Sequence, residues 1–207
     1  MKQFLFSRCS AGLGIVVAGL VFALLPAASA QASLISTGAC NDSALSQPFV
    51  PWGDSSSYEL VPGGSFGSDL SGWTVTGGAG LVSGGEPYGV TGSVSQSSID
   101  LPAGSSAQSP YTCVNAAYPT IRFFARNSGL LSTVLVQVVY NLPLLGQVAI
   151  PVGPVALSDT WQPTLPMITG SAIPGLLSGG TTQVALRFTA LTGNSEIDDV
   201  FVDPRMH

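Results

Sequence analysis

The chain has 207 residues, a formal net charge of −5 and charged side chains at 8% of its positions. Nucleic acids and anionic membranes bind clustered basic charge, and six Lys and Arg residues scattered along the chain do not supply it. With 45% hydrophobic residues the chain has enough apolar side chains to bury a core, so disorder throughout is also excluded.

Residues 1–30 have the pattern of a secretory signal peptide. A basic start precedes the apolar run "GLGIVVAGLVFALLP", and small residues follow at 28–30. We expect cleavage after Ala30, with Ala32 as the alternative position. The run is short for a membrane anchor, which needs about 20 apolar residues. The sequence therefore predicts a secreted, extracellular protein with no membrane span in its mature form.

Residues 31–57 show little periodicity, and we predict that they form an extended lead. Two cysteines remain once the signal peptide is removed, Cys40 and Cys113. An even cysteine count in an oxidising compartment predicts one disulfide between them. Two free thiols are the alternative. The bridge would tie the lead to the rest of the protein.

From residue 58 onward, short strand-like segments alternate with turns rich in Gly, Pro and Ser. The strongest is "STVLVQVVYN", in which one face is lined by Val134, Val136, Val138 and Tyr140. "TTQVALRFTA" places Val184, Leu186 and Phe188 on one face, and "SGWTVTG" places Trp73 in the core. Helical patterning is nearly absent. The sequence predicts an all-β fold in which residues 58–207 form a single antiparallel β-sandwich.

Several of these segments follow one another in a recognisable order. "LVPGGSFGSDLSGW" opens the body, "TIRFFARN", "VQVVYN" and "VALRFTA" lie in its centre, and "EIDDVFVDP" closes it. The series resembles the galactose-binding-like jelly rolls, which include carbohydrate-binding modules, and the resemblance extends to exported bacterial proteins built on the same sandwich. The resemblance spans residues 58–203. It implies a jelly-roll sandwich and a saccharide as the ligand class.

The adjacent Asp198 and Asp199 are the candidate metal ligands. In the family, an aspartate of the closing strand often holds structural calcium together with a Glu after the Phe of the opening segment. Here Gly67 follows Phe66. Carboxylate oxygens suit calcium. Strand alternation would point one aspartate inward, so the structural alternative is that this aspartate pairs with an arginine of a neighbouring strand.

Arginine and aromatic side chains are the candidate ligand-binding residues. Arg122, Phe124 and Arg126 share one face of a predicted strand, where they would contact a sugar or an anion. The structural alternative is a covered ring between two salt-bridged arginines. Aromatic rings on loops would stack on the apolar side of a sugar. The candidates for stacking are Trp52, Tyr88, Tyr118 and Trp161.

Catalytic groups are scarce, and we assign no catalytic residue. The sole histidine is His207, the last residue, which argues against a Ser-His-Asp triad and the usual zinc sites. The leading hypothesis is a non-catalytic extracellular module that binds a polysaccharide or another component of the cell envelope.

Two alternatives stay open. The first is a structural or protein-interaction protein of the cell envelope, in which the apolar segment 142–177 forms an interface. The second is a glycoside hydrolase that uses two carboxylates, one of them from the Asp198–Asp199 pair. The acids available as its partner are Glu59, Asp69 and Glu86.

Overall fold

The computed structural model describes residues 44–115, 120–129, 131–142, 145–168 and 181–203. All of them belong to one compact unit, Ser33–His207. The predicted signal peptide and Tyr118 lie outside the described residues. Within the described part of the chain, no helix combines the length and the apolar character that a membrane-spanning helix requires.

The described residues form strands almost throughout. One short 3-10 helix, Val50–Trp52, is capped by the left-handed Gly53. The strands are β1 (Leu45–Ser46), β2 (Tyr58–Leu60), β3 (Thr74–Thr76), β4 (Gly80–Ser83), β5 (Ser97–Leu101), β6 (Ser106–Gln108), β7 (Thr112–Asn115), β8 (Thr120–Asn127), β9 (Thr133–Leu142), β10 (Gly146–Ala156), β11 (Gln162–Pro163), β12 (Met167–Ile168), β13 (Thr181–Thr192) and β14 (Ser195–Asp203).

These strands form two antiparallel sheets, which confirms the predicted all-β sandwich. The larger sheet has eight strands in the described residues, with β14 at its centre between β8 on one side and β5 and β2 on the other. The smaller sheet has six strands in the order β10-β9-β13-β6-β3, with β7 also paired to β13. A sandwich of this kind presents two outer faces as well as a core.

The main core lies between the two sheets. The alternating faces predicted for β9 and β13 are confirmed, because Val136 and Leu186 have no exposed area and their neighbours two positions away are at most 3% exposed. Trp73 is 8% exposed and belongs to the same core. Its indole nitrogen donates a hydrogen bond of 3.1 Å to the Pro62 carbonyl, as a buried indole requires.

A second apolar cluster covers the outer face of the larger sheet. On β8 and β14, Phe124 and Phe201 alternate with residues of the main core, so their rings point to the opposite side. The cluster, here called the aromatic cluster, consists of Phe49, Tyr58, Phe124, Trp161 and Phe201.

Residues 44–57 of the predicted lead help to form this cluster. The lead contributes β1, which pairs with β2, and the fully buried Phe49. The boundary between lead and sandwich stays a prediction, as does the disulfide, because Cys40 and the side chain of Cys113 lie outside the described residues.

The glycine pair at 77–78 carries the chain from the smaller sheet to the larger one, since β3 pairs with β6 whereas β4 pairs with β5. Gly77 has a φ of 67°, and a Cβ there would lie 2.7 Å from the Ser105 Cα. This close approach therefore requires glycine.

Candidate functional site

The face of β8 predicted to bind a ligand is covered by other parts of the chain. Phe124 has no exposed area, and the Phe49 ring stacks on it at 5.6 Å between centroids. Trp52 meets the same ring edge-on at 5.3 Å, and Tyr88 lies 5.7 Å away. A saccharide has no access to Phe124 in this arrangement.

The two arginines beside Phe124 are paired with carboxylates. Arg122 is 3% exposed, donates to Asp54 over 2.7 Å and lies 4.0 Å above the Phe49 ring. Arg126 donates to Glu196 over 2.7 Å. This arrangement is the structural alternative given above, a covered ring between salt-bridged arginines.

The Asp54 carboxylate is held ionised by its donors. Burial alone would raise its pKa, but hydrogen bonds from Tyr58, Ser56 and Arg122 lower the pKa to about 2. Arg122 also donates to the Thr164 carbonyl at 2.8 Å. The buried guanidinium is therefore neutralised and bonded on two sides.

The aromatic stacking candidates belong to this covered face. Trp161 is 7% exposed, with the Arg126 guanidinium 5.2 Å from its ring centroid. Tyr88 is 45% exposed, and its hydroxyl donates to the Trp161 carbonyl at 2.9 Å. Of these rings, Tyr88 keeps a surface that a ligand can reach. Tyr118 lies outside the described residues.

Three buried acids lie at the edge of the covered face. We call Glu86, Asp198 and Asp199 the acid cluster; none of the three has any exposed area. The Glu86 carboxylate accepts backbone N–H groups of Tyr88 and Gly89 at 2.6 and 2.8 Å and shapes the turn around itself.

Asp198 fastens this turn to β14. Its Oδ2 accepts the Glu86 backbone N–H at 2.9 Å, and its Oδ1 accepts the N–H of Asp199. Burial raises the pKa of Asp198 to about 6, against the lowering effect of these hydrogen bonds. A Cβ at Gly85 would come within 2.2 Å of the Asp198 Oδ2, so glycine is required for this contact.

Asp199 lies in a β-bulge and has the left-handed φ of 43°. Neither of its carboxyl oxygens makes a hydrogen bond of ordinary geometry with the described residues. Burial, together with the nearby Asp198 and Glu86 carboxylates, raises its pKa to about 8. In the folded protein, the surroundings of this carboxyl group therefore favour its protonated form.

The predicted pairing of one inward-pointing aspartate with an arginine of a neighbouring strand is wrong. The strand arginines of β8 pair with Asp54 and Glu196, and the bulge buries both Asp198 and Asp199. Among the described residues, no group of three or more His, Cys, Asp or Glu side chains is arranged to hold a metal ion. The calcium site at Asp198 and Asp199 stays a prediction.

The outer face of the smaller sheet is open. It carries a groove of about 450 Å³, here called the polar groove. Its floor is built from facing positions of neighbouring strands, with Arg187 of β13 between Gln108 of β6 and Gln137 of β9. The groove is lined by Thr74, Thr76, Gly104, Ser106, Gln108, Gln137, Gln147, Arg187 and Thr189.

Hydrogen bonds hold several of these side chains in place. The Arg187 Nε and Nη2 donate to the Gln108 Oε1 at 3.0 and 2.7 Å. The hydroxyls of Thr76 and Ser106 are 2.8 Å apart. The groove thus presents hydroxyl, amide and guanidinium groups in fixed positions, which is the chemistry that recognises polyhydroxylated ligands.

Sequence reasoning missed this site. Its residues are the polar members of alternating strands, such as Arg187 between Leu186 and Phe188, and alone each looks like an ordinary solvent-facing position. The signal that was available is that the outward positions of β3, β6 and β13 carry Thr, Ser, Gln and Arg side chains that can all hydrogen-bond.

No family model matches the chain, and neither does a curated protein. Among solved structures it is similar to the CBM22-1 xylan-binding domain from Paenibacillus barcinonensis Xyn10C, with 10% identity, a TM-score of 0.47, and 69% of this chain and 93% of that chain covered. It is also similar to TmCBM61 in complex with β-1,4-galactotriose, with 11% identity and a TM-score of 0.42. This match covers 70% of this chain and 98% of that chain.

The chain is also similar to the CBM22-1–GH10 modules of Clostridium thermocellum xylanase 10B, at 13% identity and a TM-score of 0.46. This match covers 69% of the chain and spans 28% of the xylanase chain. The three structures contain carbohydrate-binding modules, the class that the sequence motifs resemble. At these identities and TM-scores their ligands are not transferred to this protein, whose function we propose from its own site.

Proposed function

We propose that this protein is a non-catalytic, extracellular polysaccharide-binding module and that the polar groove is its binding site. The observation that carries the proposal is the groove itself: an open channel across β3, β6, β13, β9 and β10 whose side chains are almost all hydrogen-bonding groups. Saccharide hydroxyls need donors and acceptors in fixed positions, and the Arg187–Gln108 and Thr76–Ser106 contacts fix four of them.

The buried acids favour binding over hydrolysis. Two-carboxylate hydrolysis needs acids on either side of the scissile bond. Glu86, Asp198 and Asp199 are without exposed area, and the residues that line the groove include no Asp or Glu. A saccharide lying in the groove therefore has no carboxylate beside it among the lining residues.

Export to the cell exterior is part of the same proposal. It is supported by the signal-peptide pattern of residues 1–30, which would deliver the mature chain to where polysaccharides are found.

The test compares two glutamines on opposite sheets. We expect the unmodified protein to bind at least one soluble polysaccharide in affinity electrophoresis against a panel of neutral and acidic plant and bacterial polymers. Gln137→Ala, in the groove, should weaken that binding by about tenfold, since a lost hydrogen bond that leaves a buried partner unpaired costs roughly 1–3 kcal/mol. Gln162→Ala, on exposed β11 of the larger sheet, should leave it unchanged.

Both variants should keep the melting temperature of the unmodified protein, because neither side chain lies in a core. Failure to bind any polymer would refute the module. Concentration-dependent self-association in place of binding would favour the interaction-protein alternative, for which Leu145 and Leu165, 74% and 82% exposed within segment 142–177, are the supporting residues. Equal binding by both variants would move the site away from the groove.

A further inference from the structure

The charge of the smaller sheet is unusual. Its six strands carry one charged side chain in total, Arg187 on β13. The larger sheet, in contrast, has acids on β2, β5 and β14 and both arginines of β8. In a protein whose acids outnumber its Lys and Arg residues by eleven to six, the groove is a place without negative charge.

Arg187 also differs from the arginines of β8 in its partner. Arg122 and Arg126 each pair with a carboxylate at 2.7 Å. Arg187, only half-buried, donates instead to the neutral Gln108 side chain. Among the described residues, Arg187 therefore has no ion-pair partner, although it lies on the floor of a groove lined by groups that bind a ligand.

The geometry of the Gln108 contact leaves the other end of the guanidinium free. Gln108 Oε1 accepts from Nε and Nη2, which form one edge of the planar group. Each Nη atom carries a further N–H, so the edge between Nη1 and Nη2 still presents two parallel donors. That fork matches the two oxygens of a carboxylate and is held in orientation by Gln108.

The free-energy cost of removing water from Arg187 should distinguish neutral sugars from sugars that carry a carboxylate. A neutral sugar lying over Arg187 would remove water from a cation that has no counter-charge, which is unfavourable. A sugar carrying a carboxylate supplies the missing partner at the moment that water leaves. The remaining Thr, Ser and Gln side chains of the groove bind hydroxyls equally well in either case.

We propose that the polar groove selects acidic, uronate-containing polysaccharides and that Arg187 binds the uronate carboxylate through its Nη1–Nη2 edge. This inference rests on the groove being the saccharide site. Arg187 is then the specificity-determining residue, and the uncharged lining residues supply the affinity common to all sugars.

The experiment compares each acidic polymer with its own neutral form. Polygalacturonate, alginate and glucuronoxylan are measured by isothermal titration calorimetry against the same polymers after carboxyl reduction, which turns each uronate into the neutral sugar. We expect the acidic form of at least one pair to bind about tenfold more tightly, the effect of one charge-assisted contact. Raising the salt concentration should reduce this preference.

Three variants locate the effect. Arg187→Gln should abolish the preference and retain the weaker binding of the reduced polymer, and Arg187→Lys should recover part of it, because lysine keeps the charge and loses the fork. Arg126→Gln removes the same charge from the larger sheet and should retain the full preference. Dextran sulfate should bind more weakly than the best carboxylated polymer.

The outcomes separate the two proposals. Equal or tighter binding of the reduced polymers throughout would overturn the uronate preference and leave the binding module intact. A preference that persists in Arg187→Gln, or equal binding of dextran sulfate, would overturn the role of Arg187 as a carboxylate fork. Absence of binding to acidic and neutral forms alike would overturn the module itself, and the uronate preference with it.

Discussion

The outer face of the larger sheet is covered by other parts of the chain, whereas the outer face of the smaller sheet carries an open groove. On the larger sheet, the 3-10 helix, Phe49 and the turn at Glu86 lie over β8 and β14 and bury Phe124, Arg122 and two aspartates. On the smaller sheet, the groove across β3, β6 and β13 lies open, and its side chains are exposed or half-buried.

The comparison indicates which property makes the outer face of a sheet available to a ligand. The larger sheet has the richer chemistry, with aromatic rings, arginines and acids, and most of these groups are buried or paired with other parts of the chain. The groove side chains of the smaller sheet hydrogen-bond to one another, but no described segment covers them. Chemical richness on a strand is therefore a poorer guide to function than whether other parts of the chain cover it.

The largest effect should come from removing a ring on the covered face. Phe124→Ala should lower the free energy of unfolding by about 3–5 kcal/mol, the usual cost of a Phe deleted from a packed cluster. Thr189→Ala, in the groove, should change it by less than about 0.5 kcal/mol. Urea denaturation measures both. A loss below about 1 kcal/mol for Phe124→Ala would mean that the Phe49 segment does not pack on the sheet as described.

The contribution of each ion pair on the covered face to the free energy of unfolding should increase with its burial. Asp54→Asn leaves the Arg122 guanidinium, whose side chain is 4% exposed, without its counter-charge. We expect a loss of about 2–4 kcal/mol at pH 7. Glu196→Gln should cost about 1 kcal/mol or less, since the Arg126 side chain is 35% exposed and keeps solvent contact.

The Asp54–Arg122 ion pair should also make the stability of the protein depend on pH. The pKa of Asp54 is lowered in the folded protein to about 2, so its stabilising effect is present above the ordinary value of 3.8 and is lost as the pH falls through about 2. Acid unfolding of the unmodified protein should include this loss, and that of Asp54→Asn should not. Equal acid sensitivity of the two proteins would contradict the assignment.

An effect of opposite sign is expected from Asp199. Its folded pKa is raised to about 8 from 3.8, so the folded state holds a proton that the unfolded state releases between these values. Stability should therefore fall as the pH rises from about 4 to about 8. Asp199→Asn should flatten this slope, whereas Asp159→Asn, at an exposed position, should keep it. The readout is the melting temperature as a function of pH.

The same variants examine the predicted calcium site. A structural ion at Asp198 and Asp199 predicts a melting temperature at pH 8 that rises with calcium and falls with chelator. Asp199→Asn should then lose this response. An unchanged melting temperature in the unmodified protein would refute the site and leave protonation of Asp199 as the means by which the acid cluster is tolerated.

Much of the fold could be predicted from local patterns. Alternation along β9 and β13 identifies the core faces because a strand whose sheet packs against a second sheet on one side buries every second residue. Trp73 was placed correctly for the same reason. The sharing of one face by Arg122, Phe124 and Arg126 also follows from alternation and is correct.

What lies over that face could not be predicted. Phe49 and Trp52 precede β8 by some seventy positions, and no local pattern says that they return to it. The aspartate pair was misjudged because a bulge with a left-handed Asp199 suspends the alternation on which the prediction depended. The groove could not be predicted because it depends on the register between strands that are far apart in the sequence. Gln108, Arg187 and Gln137 become neighbours only when β6, β13 and β9 pair.

The last strand of the smaller sheet, β10, has a consequence for behaviour at high density. It ends the strand order, and it carries Pro151 and Pro154 next to a bulge between Pro151 and Gly153. Prolines lack the N–H that an incoming strand would need, and the bulge disturbs the regular spacing of the remaining groups. If several copies bind one polysaccharide as proposed, this edge disfavours strand pairing between neighbouring copies, and each copy would bind the polymer separately.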